Sequence, residues 1–273
     1  MDRAPIAVFF ALKNESGYFE DRLKKTSCVH ANGFRIFSGT LGKHAFLSVV
    51  TGAGESAAGN AAEAICRIHQ PRLVISAGFA GGLAPELPKH ALFLPNEFAG
   101  TDSADWEKER LSLFSRLSPE HLPTELRKET RFGGRLLTVR NIVTKTEEKR
   151  ELALKYSAQA VDMETRRLAK YCRTQNLPFL AVRSISDAAG EPIPDDVQTL
   201  VNQKTTAARF GAAFQLLLKR PGSAADLYRL YESSVASALK LADFLEALSD
   251  SGLFDFLSEN FYPPQEPEKL LSA

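Results

Sequence analysis

Residues 178–187 read Pro-Phe-Leu-Ala-Val-Arg-Ser-Ile-Ser-Asp. Eight of these ten positions, 178–182 and 184–186, are apolar or small, and the segment reads as a strand over 178–185 with an arginine inside it and an aspartate at its tip. Upstream, 160–163 is a second short strand and 164–175 has the spacing of a helix. A strand, a helix and a strand in succession set the class as α/β with a buried sheet.

The same alternation continues outward. Residues 6–12 (IAVFFAL) and 73–77 (LVISA) are continuously apolar, as in strands covered on both faces. Between them, 34–40 and 45–51 are joined by Leu41-Gly42-Lys43-His44, a hairpin that makes the sheet mixed. An Ala-rich helix over 55–69 is stopped by Pro71. Residues 91–94 and 135–143 are further strands and 147–156 a helix, whereas 100–132 reads as a long polar loop with one helix. At 219–223 the sequence Lys-Arg-Pro-Gly-Ser is a breaker. Beyond it, 224–248 is an amphipathic helix, and after Gly252 an aromatic helical stretch runs to Pro263, followed by a polar, frayed end. The expected organisation is a unit over 1–218 and a C-terminal helical extension over 219–273 packed on it.

Composition narrows the function. Over 273 residues, 34 basic side chains balance 33 acidic ones, a net charge of +1 that argues against nucleic-acid binding and is compatible with self-association. Cys28, Cys66 and Cys172 lack metal-ligand spacing and read as reduced cysteines of a cytoplasmic protein. The five histidines are scattered, so no metal site is expected. No apolar run approaches the ~20 residues of a membrane span, and Met1–Pro5 does not open a signal peptide.

Four segments carry candidate chemistry. Glu15 follows the first buried strand, where α/β proteins place ligands, although it also suits the solvated first turn of a helix. Thr51-Gly52-Ala53-Gly54 and Ser76-Ala77-Gly78-Phe79-Ala80-Gly81-Gly82 are two glycine-rich strand ends; each is a tight turn or a ligand cradle. Val161-Asp162-Met163-Glu164 ends a strand in two carboxylates; either could cap the next helix or accept two vicinal hydroxyls, with Met163 against a sugar face. Arg183 inside an apolar run requires an anion or a partner such as Asp187, and a buried Asp187 suits a general acid.

In this order the four segments resemble the superfamily of purine nucleoside phosphorylases and methylthioadenosine/adenosylhomocysteine nucleosidases. V-D-M-E at 161–164, R-S-I-S-D at 183–187 and A-G-G-L at 80–83 carry the likeness, over roughly 5–218. It implies a three-layer α/β/α nucleoside-phosphorylase-like fold around a mixed sheet, and cleavage of the N-ribosyl bond of a purine nucleoside. It further implies that Asp187 protonates or hydrogen-bonds N7, Glu164 grips the ribose hydroxyls, Met163 packs under the sugar and Glu15 activates water. Arg183 and Ser186 support the nucleophile side and Asp187. Phe79, Gly78 and Gly52 belong to the expected substrate site. No cofactor is implied beyond inorganic phosphate as co-substrate in a phosphorylase, and a homo-oligomer is the family habit.

The chain departs from the pattern at three places. Phe79 stands where the nucleosidases often carry serine. Residues 144–149 lack the S-G-D-x-F segment whose phenylalanine stacks on adenine, and the arginines of the phosphorylase branch are missing from 11–17 and 74–78. The last favours hydrolysis. Residues 146–149, 160–164, 178–183 and 219–222 are similar to the hopanoid-associated phosphorylases, which implies an adenosylated, lipid-tailed nucleoside as a further substrate. A non-catalytic nucleoside-binding protein on the same fold is the competing reading. Of 18 phenylalanines, Phe244, Phe254, Phe256 and Phe261 fall in the last thirty residues. They either complete a core or form an apolar surface for a lipid tail or a peripheral lipid contact.

Overall fold

A computed structural model describes residues 4–31, 33–101, 111–112, 119–193 and 223–259, with side chains outside 111–112, 223–231 and 259. The expected breaker at 219–222, Phe261, Tyr262 and the frayed end lie outside the described residues. The elements in order are β1 (Ile6–Phe10), α1 (Lys13–Glu20), β2 (Lys24–Ala31), β3 (Phe34–Leu41), β4 (His44–Val50), α2 (Glu55–His69), β5 (Leu73–Gly82), β6 (Leu92–Leu94), β7 (Glu97–Gly100) and β8 (Leu111–Ser112). A 3-10 turn (Pro119–His121) leads to α3 (Thr124–Glu129), β9 (Thr130–Phe132), β10 (Arg135–Thr138), α4 (Thr146–Tyr156), β11 (Ala160–Asp162), α5 (Thr165–Thr174), β12 (Phe179–Asp187), α6 (Ser223–Ser251) and α7 (Leu253–Glu259).

The sheet is mixed, as the hairpin requires. Its centre is parallel, with β1 between β4 and β5, and β12 beside β5. The meander β2-β3-β4 is antiparallel, and β11 meets the far end of β5 antiparallel, Val161 opposite Gly81. The apolar runs have no alternation because both faces are covered. Ile6, Val8 and Phe10 face one core with Phe19, Leu245 and Phe254; Ala7 and Phe9 face another with Ala58, Ile65, Leu168 and Cys172. Helices α1, α6 and α7 therefore cover one face of the sheet and α2 and α5 the other.

Two expectations change, and one strand carries no sequence signal. The strand expected over 135–143 stops at Thr138, where the chain turns and Val139 N–H donates to the Asp162 carbonyl at 2.8 Å. Residues 100–132 hold more than a loop and a helix, since α3 runs into β9, which pairs with β6. Strand β2, Lys-Lys-Thr-Ser-Cys-Val-His-Ala, is an exposed polar edge without the apolar alternation that sequence patterning detects.

The C-terminal helices share the core of the sheet. Leu241, Phe244, Leu245, Leu248, Phe254 and Leu257 are buried in the cluster that contains β1. Phe254 meets His44 and Phe46 edge-on, each at 5.8 Å. Gly252 adopts φ +77°, the left-handed turn that reverses the chain between α6 and α7. Phe256 is half-buried and stacks on His121 at 4.5 Å. Phe244 and Phe254 are thus core residues and offer no surface to a lipid. Among the described residues no helix is long and apolar enough to cross a membrane.

Candidate functional site

A cavity of about 430 Å³ opens at the C-terminal ends of β1, β5, β11 and β12, the edge at which sheets of this kind hold ligands. Glu15, Phe79, Met163, Glu164, Ser186 and Asp187 all line it. Gly52, Gly78 and Arg183 do not; Gly78 and Arg183 lie around a smaller void that shares Glu15, Phe79 and Glu164 with it.

Glu15 is buried in the first turn of α1, which excludes the solvated alternative. One carboxylate oxygen accepts Leu12 N–H at 2.8 Å, turning the side chain back over the helix start; the other accepts Phe79 N–H at 3.0 Å. Burial pushes its pKa up, against the pull of these two N–H groups and of Arg183. A base held above the ordinary carboxylate range and aimed into a cavity suits proton abstraction. Gly78 makes this seat possible: a Cβ there would stand 2.9 Å from a Glu15 oxygen.

Glu164 occupies the position preceding α5 and does not cap it. Its Oε1 accepts Gly54 N–H at 2.7 Å and its Oε2 accepts Met163 N–H at 3.3 Å. Burial, then the neighbouring Asp162, push its pKa to about 8. Asp162 is the capping residue: it accepts Thr165 N–H at 3.0 Å and Thr138 Oγ1–H at 2.8 Å.

Arg183 is an internal strut. Its Nε and Nη2 donate to Asp162 at 3.3 and 2.9 Å, its Nη1 to the carbonyls of Ser76 and Val182 at 2.9 and 2.8 Å, and its Nη2 also to Ser76 Oγ at 2.7 Å and to Thr165. Its partner is Asp162 rather than Asp187, and every guanidinium nitrogen is engaged by protein atoms. These bonds tie β5 and β12 to Asp162 and Thr165, at the junction of β11 and α5 that carries Glu164.

At the opposite end Asp187 is buried, which raises its pKa against the opposing effects of Lys149 and Ser186. Ser186 Oγ–H donates to one oxygen and Lys149 Nζ to the other, each at 2.5 Å. Gly81 lets Asp187 close on the strand, since a Cβ there would meet Oδ2 at 3.2 Å. Val139, Ile142, Val143, Val161, Pro192 and Ile193 form an aliphatic wall at this end. Among the described lining residues Phe79 is the one aromatic ring and Lys89 the one cation, its Nζ 3.6 Å from Glu191.

Lys149 escaped the sequence reading because Thr-Glu-Glu-Lys-Arg-Glu looks like a solvated helix start. Helical phase would have exposed it: Lys149, Leu152, Ala153 and Tyr156 share one face, and the latter three pack into a core cluster.

Known proteins share this fold. A 5'-methylthioadenosine/S-adenosylhomocysteine nucleosidase of Baumannia cicadellinicola subsp. Homalodisca coagulata is 25% identical over 197 residues, 67% of this chain and 86% of that protein. The nucleosidase of Neisseria meningitidis, solved with methylthio-immucillin-A, superposes with a TM-score of 0.71 at 18% identity, over 91% of this chain and 100% of the other. The Helicobacter pylori nucleosidase, solved with butyl-thio-DADMe-Immucillin-A, gives 0.69 at 16% identity over 92% and 99%. These superpositions show a common α/β fold. The model of the Phosphorylase superfamily matches residues 5–220, more than three quarters of the chain. The chain belongs to that superfamily, as an enzyme of its nucleosidase and phosphorylase class.

Proposed function

We propose that the enzyme hydrolyses the N-ribosyl bond of a purine nucleoside, with adenine as the leaving base and a small substituent at the ribose 5′ position. The observation that carries this is the seat of Glu15: a buried carboxylate with raised pKa faces the cavity, and every nitrogen of the Arg183 guanidinium is engaged by protein atoms. Glu15 takes a proton from water. Glu164 accepts the 2′- and 3′-hydroxyls while Met163 lies under the sugar. Asp187 serves N7, and the aliphatic wall sandwiches the base in place of an aromatic stack. Catalysis then rests on withdrawing charge through the base and holding the oxocarbenium-like sugar against a poised water.

The named relatives support the 5′-methylthioadenosine-type substrate, and the cavity volume suits a nucleoside with a short 5′ group. A lipid-tailed nucleoside would keep its tail outside the mouth, where Phe244 and Phe254 cannot receive it. Adenine release from 5′-methylthioadenosine, assayed with and without phosphate, decides the nucleophile: release without phosphate is expected, and strict phosphate dependence overturns the hydrolase reading. Long-chain 5′-alkylthioadenosines in the same assay decide the substituent.

Two further outcomes follow from the geometry. At pH 7 the empty site holds Glu164 protonated, because its pKa is about 8, whereas two donating hydroxyls favour the carboxylate. Nucleoside binding at pH 7 should therefore release about one proton per site, and affinity should rise with pH up to about 8. Calorimetry in buffers of different ionisation enthalpy measures this; Glu164→Gln should bind weakly and release none, and a buffer-independent heat in the wild type would contradict the assignment. Gly78→Ala should displace Glu15 and lower kcat about tenfold or more, as misplacement of a reacting group does, with a smaller effect on KM. Wild-type kcat in that variant would show that the seat of Glu15 is not critical.

A further inference from the structure

We propose that Lys149 is the positioning residue of Asp187 and the store of the proton that Asp187 passes to the departing base, an inference that rests on the hydrolase reading above. Lys149 is fully buried, yet its Nζ has three partners: Asp187 Oδ2 at 2.5 Å, the Ala188 carbonyl at 2.9 Å and the Glu191 carbonyl at 2.7 Å. An ammonium has three N–H groups, so the set is complete. Burying it is tolerated only with such pairing, and the pairing ties the acid to the turn that carries Glu191, Pro192 and Ile193 into the cavity wall. The charged groups around the pair are Asp187 on β12 and Glu191 just after it; Glu191 Oε2 accepts Ala188 N–H at 3.2 Å and faces Lys89 at 3.6 Å.

An ionised Asp187 presents only acceptor oxygens, and purine N7 is also an acceptor, so a proton must lie between them. When the C1′–N9 bond breaks, its electron pair moves into the purine and makes N7 more basic. Lys149 Nζ then gives a proton to Asp187, which delivers it to N7, so that Asp187 ends as a carboxylate and Lys149 as a neutral amine. The water oxygen bonds to C1′ and keeps one proton, and Glu15 holds the other. Transfer of that proton to solvent and uptake of one by Lys149 restore the enzyme, with one water consumed and no other reactant.

The test compares Lys149→Met and Lys149→Arg on 5′-methylthioadenosine and on 4-nitrophenyl β-D-riboside, whose phenolate leaves without a proton. In Lys149→Met, kcat for the nucleoside should fall ~10²-fold or more, with the alkaline limb of its pH profile moved to lower pH and turnover of the nitrophenyl riboside retained. Arginine keeps the ion pair but does not give up its proton, so Lys149→Arg should keep KM and lose kcat. Wild-type kcat in Lys149→Arg, an unchanged pH profile in Lys149→Met, or equal losses on both substrates would overturn the proposal. Circular dichroism reports whether Lys149→Met folds; if it does not, the arginine variant carries the test. Asp187→Asn separates the two levels: high nucleoside turnover there refutes Asp187 as the acid, whereas an inactive Asp187→Asn beside a fully active Lys149→Arg refutes the role of Lys149 alone.

Discussion

Glu15→Gln should fold, bind nucleoside and turn it over ~10²–10⁴-fold more slowly, the range that loss of a general base commands. The amide keeps the shape of the carboxylate but not its chemistry. It can accept from Leu12 N–H or from Phe79 N–H, not from both, because its second terminal atom is a donor. One backbone N–H then loses its acceptor, a local cost of about 1–3 kcal/mol, partly offset because the variant no longer carries a carboxylate whose ionisation burial disfavours. Stability should accordingly change less than rate. Thermal unfolding and single-turnover adenine release distinguish the two, and phosphate should not restore the rate. A kcat within about tenfold of wild type would remove Glu15 from the reaction.

The sequence exposed the parts of this fold that obey a period. The strands β1, β4, β5 and β12 announce themselves as apolar runs because helices cover both faces, and the carboxylates at their ends fall together because α/β sheets gather strand ends at one edge. Glu15, Glu164 and Asp187 were legible for that reason. What stayed hidden was partner choice. Arg183 in an apolar run signalled a buried charge, but nothing in the chain order says that it pairs with Asp162, 21 residues upstream in the V-D-M-E segment, instead of Asp187 four residues on. The terminal phenylalanines looked like a separate surface because the chain break near 219–223 suggested an appendix, whereas α6 and α7 return to cover β1. Lys149 was hidden by composition: charged neighbours on a helix suggest solvent, and only the phase of Leu152, Ala153 and Tyr156 points it inward.

Asp187→Asn should reduce nucleoside turnover ~10²–10⁴-fold while leaving KM close to the wild-type value. Asparagine can still donate a hydrogen bond to N7, so ground-state binding survives, but an amide does not surrender a proton to the leaving base. Its carbonyl can accept from Lys149, so the three contacts of the ammonium are kept, although it loses the opposite charge that compensates its burial. Part of the stability of the 188–193 wall should go with that charge, which limited proteolysis or hydrogen exchange of this segment would register as faster opening. The decisive contrast is between leaving groups. Departure of adenine requires charge withdrawal at N7, whereas 4-nitrophenolate departs unaided, so the loss should be large for 5′-methylthioadenosine and small for the nitrophenyl riboside. Equal losses on both substrates would mean that the substitution has disturbed the sugar and water end of the cavity, and that Asp187 shapes the site without acting on the base.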